Sequence, residues 1–443
     1  MIKIKEIQFI SVNDKETIIV NLINGLADVI DKDTEKNLKN NQFTSLDDSV
    51  IHCLKDRKYI FSTKEEYDIY INSIYYTASF YEEREIPNFL FIPSYDCNLN
   101  CTYCYQKAYK IQSFDISEDI IESFFDYVQS KIKDLEKRYK THYEANDIII
   151  TLMGGEPLLS RNKYIIKEFV KKCQLYGYKY DIVTNGITIK EYIDIINTPS
   201  LKSIQITLDG DKNVHDSRRI SKNKKGTFDI IMDSIQLLVL HKINVQLRIN
   251  VDKDNIYNLP LLAEQLHDFF DNPHFYAYIF LLEHEGCMEY KNVIPDYIAL
   301  KKIYDLQKRH MLLKKIDIAY VGKELVDGIF SNETFYPTTR KCSSSKNQYI
   351  FDLYKNVFKC WWGIGNDVYK INKENEDLVD SLWKKRQTLN INQCRLCNYR
   401  YLCGGGCVGR NMHNNTISCQ KGECHNFKEI LEIAIKEEYN DRI

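Results

Sequence analysis

Glycine and proline are scarce in this chain, at 17 and 8 of 443 residues, which argues against a long flexible linker. Neither sign of charge is in excess. The 60 Lys and Arg against 62 Asp and Glu leave a net charge of −2, so nothing steers the protein towards nucleic acid or an acidic membrane surface. No apolar run approaches the length of a membrane span. No secretory signal opens the chain, where Met1-Ile2-Lys3-Ile4-Lys5 alternates like a strand. The expectation is a cytoplasmic protein that binds neither nucleic acid nor membrane. Its hydrophobic share of 44% and charged share of 28% are those of a globular protein, and its length suits two or three domains. The 32 tyrosines, with many Lys, Asn and Ile, read as compositional bias.

Cysteine is abundant, with 14 residues. In a reducing compartment that number points to metal or catalysis rather than disulfides. Cys53, Cys173 and Cys287 stand apart and read as ordinary thiols. Three others crowd into Cys97-Asn98-Leu99-Asn100-Cys101-Thr102-Tyr103-Cys104, a CxxxCxxC spacing after the apolar run Phe89-Leu90-Phe91-Ile92. Three thiolates on one tight loop can hold an iron–sulfur cluster. In a four-iron cubane they leave one iron open to a small molecule. A zinc loop is the competing reading, but zinc sites pair CxxC elements with a fourth ligand, and no matching pair lies nearby.

Residues 1–88 form the first unit of the sequence. Ile2–Phe9 and Glu16–Leu22 are expected strands around the turn Asn13-Asp14. Leu26–Leu38, Leu46–Lys55 and Lys64–Phe80 are expected helices, with a short strand at Lys58–Phe61. This order suits a small winged-helix-like domain. It would serve either as a stabilising extension or as a peptide-recognition module that adds a strand to its sheet. From 89 to 290 strands and helices alternate. The expected strands are Phe89–Ser94, Asp147–Leu152, Lys179–Thr184, Ser203–Leu208, Asn244–Val251 and Phe275–Leu282. Ser117 is an expected helix cap, and Phe228–His241 is a long helix. Six such units imply an α/β fold, a partial (β/α)6 relative of the TIM-like barrel, with its site at the C-terminal strand ends. Residues 291–335 carry no motif and read as a connector, with a helix over Asp296–Leu313.

The motifs fall at those strand ends: Gly154-Gly155-Glu156-Pro157, Thr184-Asn185-Gly186 and Thr207-Leu208-Asp209-Gly210, the last followed by His215-Asp216. Glycines there let a ligand approach the backbone, and a carboxylate beside them can hold an ammonium group. With the CxxxCxxC loop this set resembles the radical S-adenosylmethionine (SAM) enzymes over Phe89 to about Leu282. The resemblance implies that Cys97, Cys101 and Cys104 hold a [4Fe–4S] cluster whose open iron chelates SAM. One-electron cleavage of SAM to a 5′-deoxyadenosyl radical would then remove a hydrogen from a substrate. By motif match, Gly154, Gly155 and Glu156 would bind the methionyl amino end, and Tyr103, Asn185, Thr207 and Arg219 the rest of SAM. Thr207 stands where related enzymes often carry Ser. His215-Asp216 reads as a hydrogen-bonded turn rather than a catalytic pair.

Residues 336–443 hold a second field: Cys342, Cys360, Cys394, Cys397, Cys403, Cys407, Cys419 and Cys424. CxxC pairs alone would favour a zinc ribbon, whereas eight cysteines match two cubanes. The pattern resembles the SPASM extension of radical SAM enzymes that modify peptides and proteins. It implies one distal auxiliary cluster on Cys394, Cys397, Cys403 and Cys424. A second, nearer the barrel, would sit on Cys342, Cys360 and Cys407, with Cys419 or an open iron completing it. The family's usual glycine five residues before the second cysteine is Lys355 here, which puts a tight turn in doubt. Anaerobic sulfatase-maturing enzymes place a catalytic Asp after the cysteine matching Cys360. Here that residue is Trp361, whose indole accepts no proton.

The resemblance therefore implies a maturase of ribosomally made peptides with three [4Fe–4S] clusters and SAM. Its partners would be a precursor peptide with a leader and a reductant such as flavodoxin or ferredoxin. The expected product is a crosslink, foremost a Cys thioether. Sulfatase-type formylglycine formation and a non-catalytic metal-binding or electron-transfer scaffold are the alternatives.

Overall fold

Two apolar runs, Ile7–Ser11 and Glu16–Asn21, close a hairpin across the Asn13-Asp14 turn in the computed structural model. It describes residues 1–104, 106, 119–282, 290–331, 333–364, 370–371, 376–408, 412–413, 416–417 and 424–442. Contacts divide the chain into two units. One comprises Met1–Glu83, Tyr320–Lys346 and Lys384–Ile443; the other comprises Arg84–Ala319 and Asn347–Trp383. In the first unit β1 (Ile2–Lys3) pairs with β5 (Ile60–Phe61), and β2 (Ile7–Ser11), β3 (Glu16–Asn21) and β4 (Ala27–Asp31) form an antiparallel sheet. Helices α1 (Lys32–Lys39), α2 (Asp48–Asp56) and α3 (Lys64–Glu83) accompany them.

The helix expected from Leu26 is corrected: residues 27–31 are strand. Their backbone pairs with β3, and the Asp31 side chain caps α1 by accepting from Thr34 N at 2.7 Å. Ile19, Leu38, Leu54 and Tyr59 fill the core beneath.

In the second unit six strands run parallel in sequence order: β6 (Asn88–Ile92), β7 (Ile149–Leu152), β8 (Lys179–Val183), β9 (Leu201–Leu208), β10 (Val245–Val251) and β11 (Phe275–Leu281). Between them lie α4 (Asp119–Tyr139), α5 (Lys163–Tyr176), α6 (Ile189–Ile196), α7 (Lys212–Arg218), α8 (Phe228–Leu240) and α9 (Leu259–Gln265). The strand–helix alternation read from the sequence is present. Ser117, the expected cap, lies outside the described residues.

Two extensions were not read from the sequence. After α10 (Asp296–Gln307), β12 (Asp317–Ala319) joins β11 in parallel. On the other flank β13 (Gln348–Asp352) runs parallel to β6, followed by antiparallel β14 (Val357–Phe358) and β15 (Lys370–Ile371).

The two faces of this sheet differ. Phe91 stacks on Phe124 of α4 at 4.7 Å and on Phe169 of α5 at 5.9 Å, and all three are fully buried. Each such ring contributes about 1.5–3 kcal/mol when removed from water. The opposite face is polar. Asp181, Ser203, Gln205, Gln246 and Arg248 succeed one another across β8, β9 and β10.

The turn placed in doubt at Lys355 is formed. Lys355 takes φ +62°, its N–H donates to Asp352 O at 2.9 Å, and Asp352 Oδ1 accepts the N–H groups of Tyr354 and Asn356 at 2.9 and 2.8 Å. The carboxylate, rather than a glycine, holds the left-handed residue in place. A β-branched side chain is worse there than lysine. Lys355→Ile should cost about 1–2 kcal/mol in denaturant melts, and Lys355→Gly should cost nothing measurable. Equal losses for both would disprove this account of the turn.

Candidate active site

The chain leaves β6 at Ile92 and enters the thiol loop. Asn100 N donates to Ile220 O at 2.7 Å, Thr102 N to Arg218 O at 2.9 Å, and Lys222 N to Asn98 O at 3.0 Å. The loop is thus stitched to the segment that follows α7. Cys97, Cys101 and Cys104 form no disulfide among the described residues, and each is partly accessible. Burial, then the nearby Glu156 carboxylate, pushes the Cys97 thiol up to about 12.

The Gly154-Gly155-Glu156 turn lies directly under that loop. Gly155 N donates to Ser94 O at 2.9 Å and Glu156 N to Asp96 O at 2.8 Å. A Cβ on Gly155 would fall 2.3 Å from Asp96 O and 2.4 Å from Tyr95 O. The glycine is required by the thiol loop's own backbone, a closer constraint than any ligand. Glu156 is 1% exposed. Its Oε1 accepts from Leu158 N at 2.9 Å and Thr184 Oγ1 at 2.6 Å, and its Oε2 from Asn185 N at 2.7 Å. Burial pushes this carboxyl up, and those three donors oppose the shift. Glu156 therefore ties two strand ends together. Asn185, so placed, donates from Nδ2 to Asn98 Oδ1 at 2.6 Å, inside the thiol loop.

A second hub surrounds Tyr103. Its hydroxyl donates to Asp209 Oδ1 at 2.9 Å and accepts from Arg219 Nη1 at 2.9 Å and Asn250 Nδ2 at 3.1 Å. Arg218 donates from Nε to Asp209 Oδ2 at 3.1 Å and grips Asp252 with both Nη groups at 3.2 and 2.8 Å. Burial pushes the Asp209 carboxyl up, against Arg219 and Arg218, which hold it down. Arg219 is buried. Burial works against its charge, but Tyr103, Cys101 and Asp209 together raise its pKa. Among the described residues its Nε has no hydrogen-bond partner. A buried guanidinium nitrogen left unpaired beside a thiol loop suits an anionic group arriving from outside the protein. Thr207 is buried at the end of β9, in register with Arg248.

The motif residues Cys97, Tyr103, Gly155, Glu156, Asn185, Thr207 and Arg219 all belong to this unit. Asp209, Arg218, Asn250 and Asp252 were not assigned from the sequence. The Leu208-Asp209-Gly210 motif contained the first, and the pair Arg218-Arg219 was the available signal for the second. Asp216 accepts from Thr227 N at 2.7 Å and Phe228 N at 3.0 Å, so it caps α8. His215 is fully buried and donates to or accepts from Thr227 Oγ1 through Nε2 at 3.1 Å.

The later cysteines divide. Cys394, Cys397, Cys403 and Cys424 lie in the first unit. Burial, then Cys397 and Cys424, pushes Cys394 up to about 11. Burial is also the main cause pushing Cys403 up to about 12, with the other three thiols adding to it. Four thiols therefore sit within electrostatic reach of one another. Yet among the described residues no three Cys, His, Asp or Glu side chains converge on a point a single ion would occupy.

Gly404, Gly405 and Gly406 follow α13 (Arg400–Cys403) with φ of +58°, +85° and +69°. A Cβ on Gly404 would meet Lys341 N at 2.3 Å, so the glycine lets the chain just before Cys342 lie against this turn. Cys342 and Cys407 belong to the first unit and Cys360 to the second. Cys419 lies outside the described residues.

Glu156→Gln places an amide NH2 where only acceptors are satisfied, and should cost about 1–3 kcal/mol of unfolding free energy. The half-buried Glu168→Gln on α5, which gives up only a surface ion pair with Lys171, should stay within about 1 kcal/mol of the parent. Denaturant melts compare the two, and a neutral Glu156→Gln would show that the strand-end tie is dispensable.

Residues 91–265 match the Radical SAM superfamily. A cysteine-type anaerobic sulfatase-maturating enzyme of Clostridium novyi is 26% identical over 363 residues, 76% of this chain and 92% of that protein. The antilisterial bacteriocin subtilosin biosynthesis protein AlbA of Bacillus subtilis is 22% identical over 344 residues, 72% of this chain and 66% of AlbA. Among solved structures, native anSMEcpe with bound AdoMet and Kp18Cys peptide has a TM-score of 0.59 at 17% identity, covering 81% of this chain and 100% of that one. Streptococcus suis SuiB bound to S-adenosylmethionine has a TM-score of 0.52 at 15% identity, covering 93% and 96%. The likenesses to solved structures concern the fold. The family match and the residues that carry the motifs show that residues 91–265 form a radical SAM domain.

Proposed function

We propose that this enzyme modifies a ribosomally made precursor peptide and installs a crosslink, foremost a thioether from a peptide cysteine. SAM bound at a [4Fe–4S] cluster supplies, on reduction, the 5′-deoxyadenosyl radical that removes a substrate hydrogen. Cys97, Cys101 and Cys104 would hold that cluster. The unpaired Nε of buried Arg219 would take the SAM carboxylate, and this orphaned donor is the observation that carries the assignment. Tyr103 holds Arg219 in place, Glu156 and Asn185 fix the strand ends around the loop, and Thr207 offers a hydroxyl beside them. Gly154 and Gly155 keep the backbone close to where the amino end would lie.

The gathered thiols of Cys394, Cys397, Cys403 and Cys424 support a distal auxiliary cluster, and Cys342, Cys360 and Cys407 would carry the other, with Cys419 or an open iron as its fourth position. These clusters would take up the product electron or bind a substrate thiolate. Residues 1–88 would be a winged-helix-like docking domain. Strand β4, an edge of its sheet with Val29 exposed, supports strand addition by a leader. On this reading 89–290 is a partial barrel, 291–335 a connector and 336–443 a SPASM domain. Flavodoxin or ferredoxin would supply electrons. Among the described residues no helix is long and apolar enough to cross a membrane, in keeping with work in the cytoplasm.

A second reading, formylglycine formation on a sulfatase, is favoured by the C. novyi relative. Trp361, in place of a carboxylate after Cys360, speaks against it.

Anaerobic iron and sulfide analysis should return about twelve of each per chain, the content of three cubanes. Zinc without sulfide would refute the cluster assignment. Cys101→Ala should release no deoxyadenosine with SAM and dithionite, and parental release would refute the ligand set. Co-expression with a Cys-bearing peptide encoded beside the gene should remove two hydrogens from it by mass spectrometry. A peptide of unchanged mass would count against the crosslinking reaction.

A further inference from the structure

Arg248 has no role in the chemistry assigned so far. It stands on the polar face of β10, level with Thr207 on β9 and Tyr278 on β11. It is half-buried, between exposed Gln246 and buried Asn250 on the same face. The face therefore opens to solvent at one end and closes on the Tyr103 hub at the other.

The guanidinium is held firmly. It lies over the Phe280 ring, 3.7 Å from its centroid, and donates from Nε to Asn250 Oδ1 at 2.8 Å. Asn250 in turn donates to Tyr103. The Tyr278 hydroxyl touches it from the neighbouring strand. Its situation differs from that of Arg218, which is matched by two carboxylates. Arg248 has no ion-pair partner among the described residues. Its plane is fixed by the ring and its Nε is engaged, so the terminal nitrogens form a preorganised fork of the kind that takes a carboxylate with two hydrogen bonds.

We propose that Arg248 receives a carboxylate of the peptide substrate and thereby sets which residue lies beside SAM. The carboxylate belongs to an acidic side chain near the modified residue or to the peptide's C-terminus. This rests on the peptide-maturase reading and narrows its substrate class to peptides with an anionic group at that distance. The link through Asn250 to Tyr103 keeps this anchor in fixed relation to the thiol loop, so misplacing it moves the substrate and leaves the cofactor site where it is.

The test uses the reconstituted holoenzyme, SAM, dithionite and the Cys-bearing peptide encoded beside the gene. Arg248→Gln should raise the peptide's KM at least tenfold with a smaller change in kcat, and Arg248→Lys should recover part of the loss. In the parent enzyme, one change among single Asp→Asn or Glu→Gln replacements in the peptide and C-terminal amidation should reproduce that loss. Which change does so identifies the source of the carboxylate. Combined with Arg248→Gln, the same change should add less than twofold. A parental KM for Arg248→Gln, or two losses that multiply, would overturn the proposal. Loss of deoxyadenosine release without peptide would also overturn it, by moving Arg248 to SAM. The peptide-side replacements need no variant enzyme, so a misfolded Arg248→Gln leaves the prediction open to refutation. A parent enzyme that leaves the peptide unmodified would count against the maturase reading itself, which separates the two failures.

Discussion

The second unit depends on two buried carboxylates and the donors that keep them from being a liability. A carboxylate removed from water is costly unless paired and hydrogen-bonded. Glu156 has backbone and hydroxyl donors, and Asp209 has Tyr103 and Arg218. The donors come from different strand ends, so satisfying each charge also fixes the ends relative to one another. Arg218 carries the same logic on to Asp252 after β10. What results is a rigid rim of strand ends around a loop of thiols. The rigidity is electrostatic in origin and confined to the C-terminal edge of the sheet.

Legibility followed the range of the interactions. The six parallel strands were readable because each is a short apolar run set between helices, a pattern local to its own segment. Residues 27–31 were misread as helix because their preference was overridden by pairing with β3, a neighbour the local pattern does not name. Strands β12 and β13 escaped notice for a related reason. Asp317–Ala319 is too short to signal itself, and Gln348–Asp352 becomes a sheet strand only through a partner some 260 residues earlier. At the site, the residues within known motifs were found, while Asn250 and Asp252 were missed because nothing around them in the sequence sets them apart. The glycines were located for one reason and found to matter for another: Gly155 is needed by the thiol loop's backbone before any ligand is considered.

The pairing of β6 with β13 bears on how the protein is made. β6 leads directly into the thiol loop, and its partner on one side, β7, is close in sequence. Its partner on the other is not synthesised until most of the chain has left the ribosome. Until then Phe89–Ile92 is an open, apolar edge, the kind of surface that recruits other chains. Long-range pairing of this sort is also slow. A fragment ending near residue 290 would therefore present the thiol loop on an unfinished sheet.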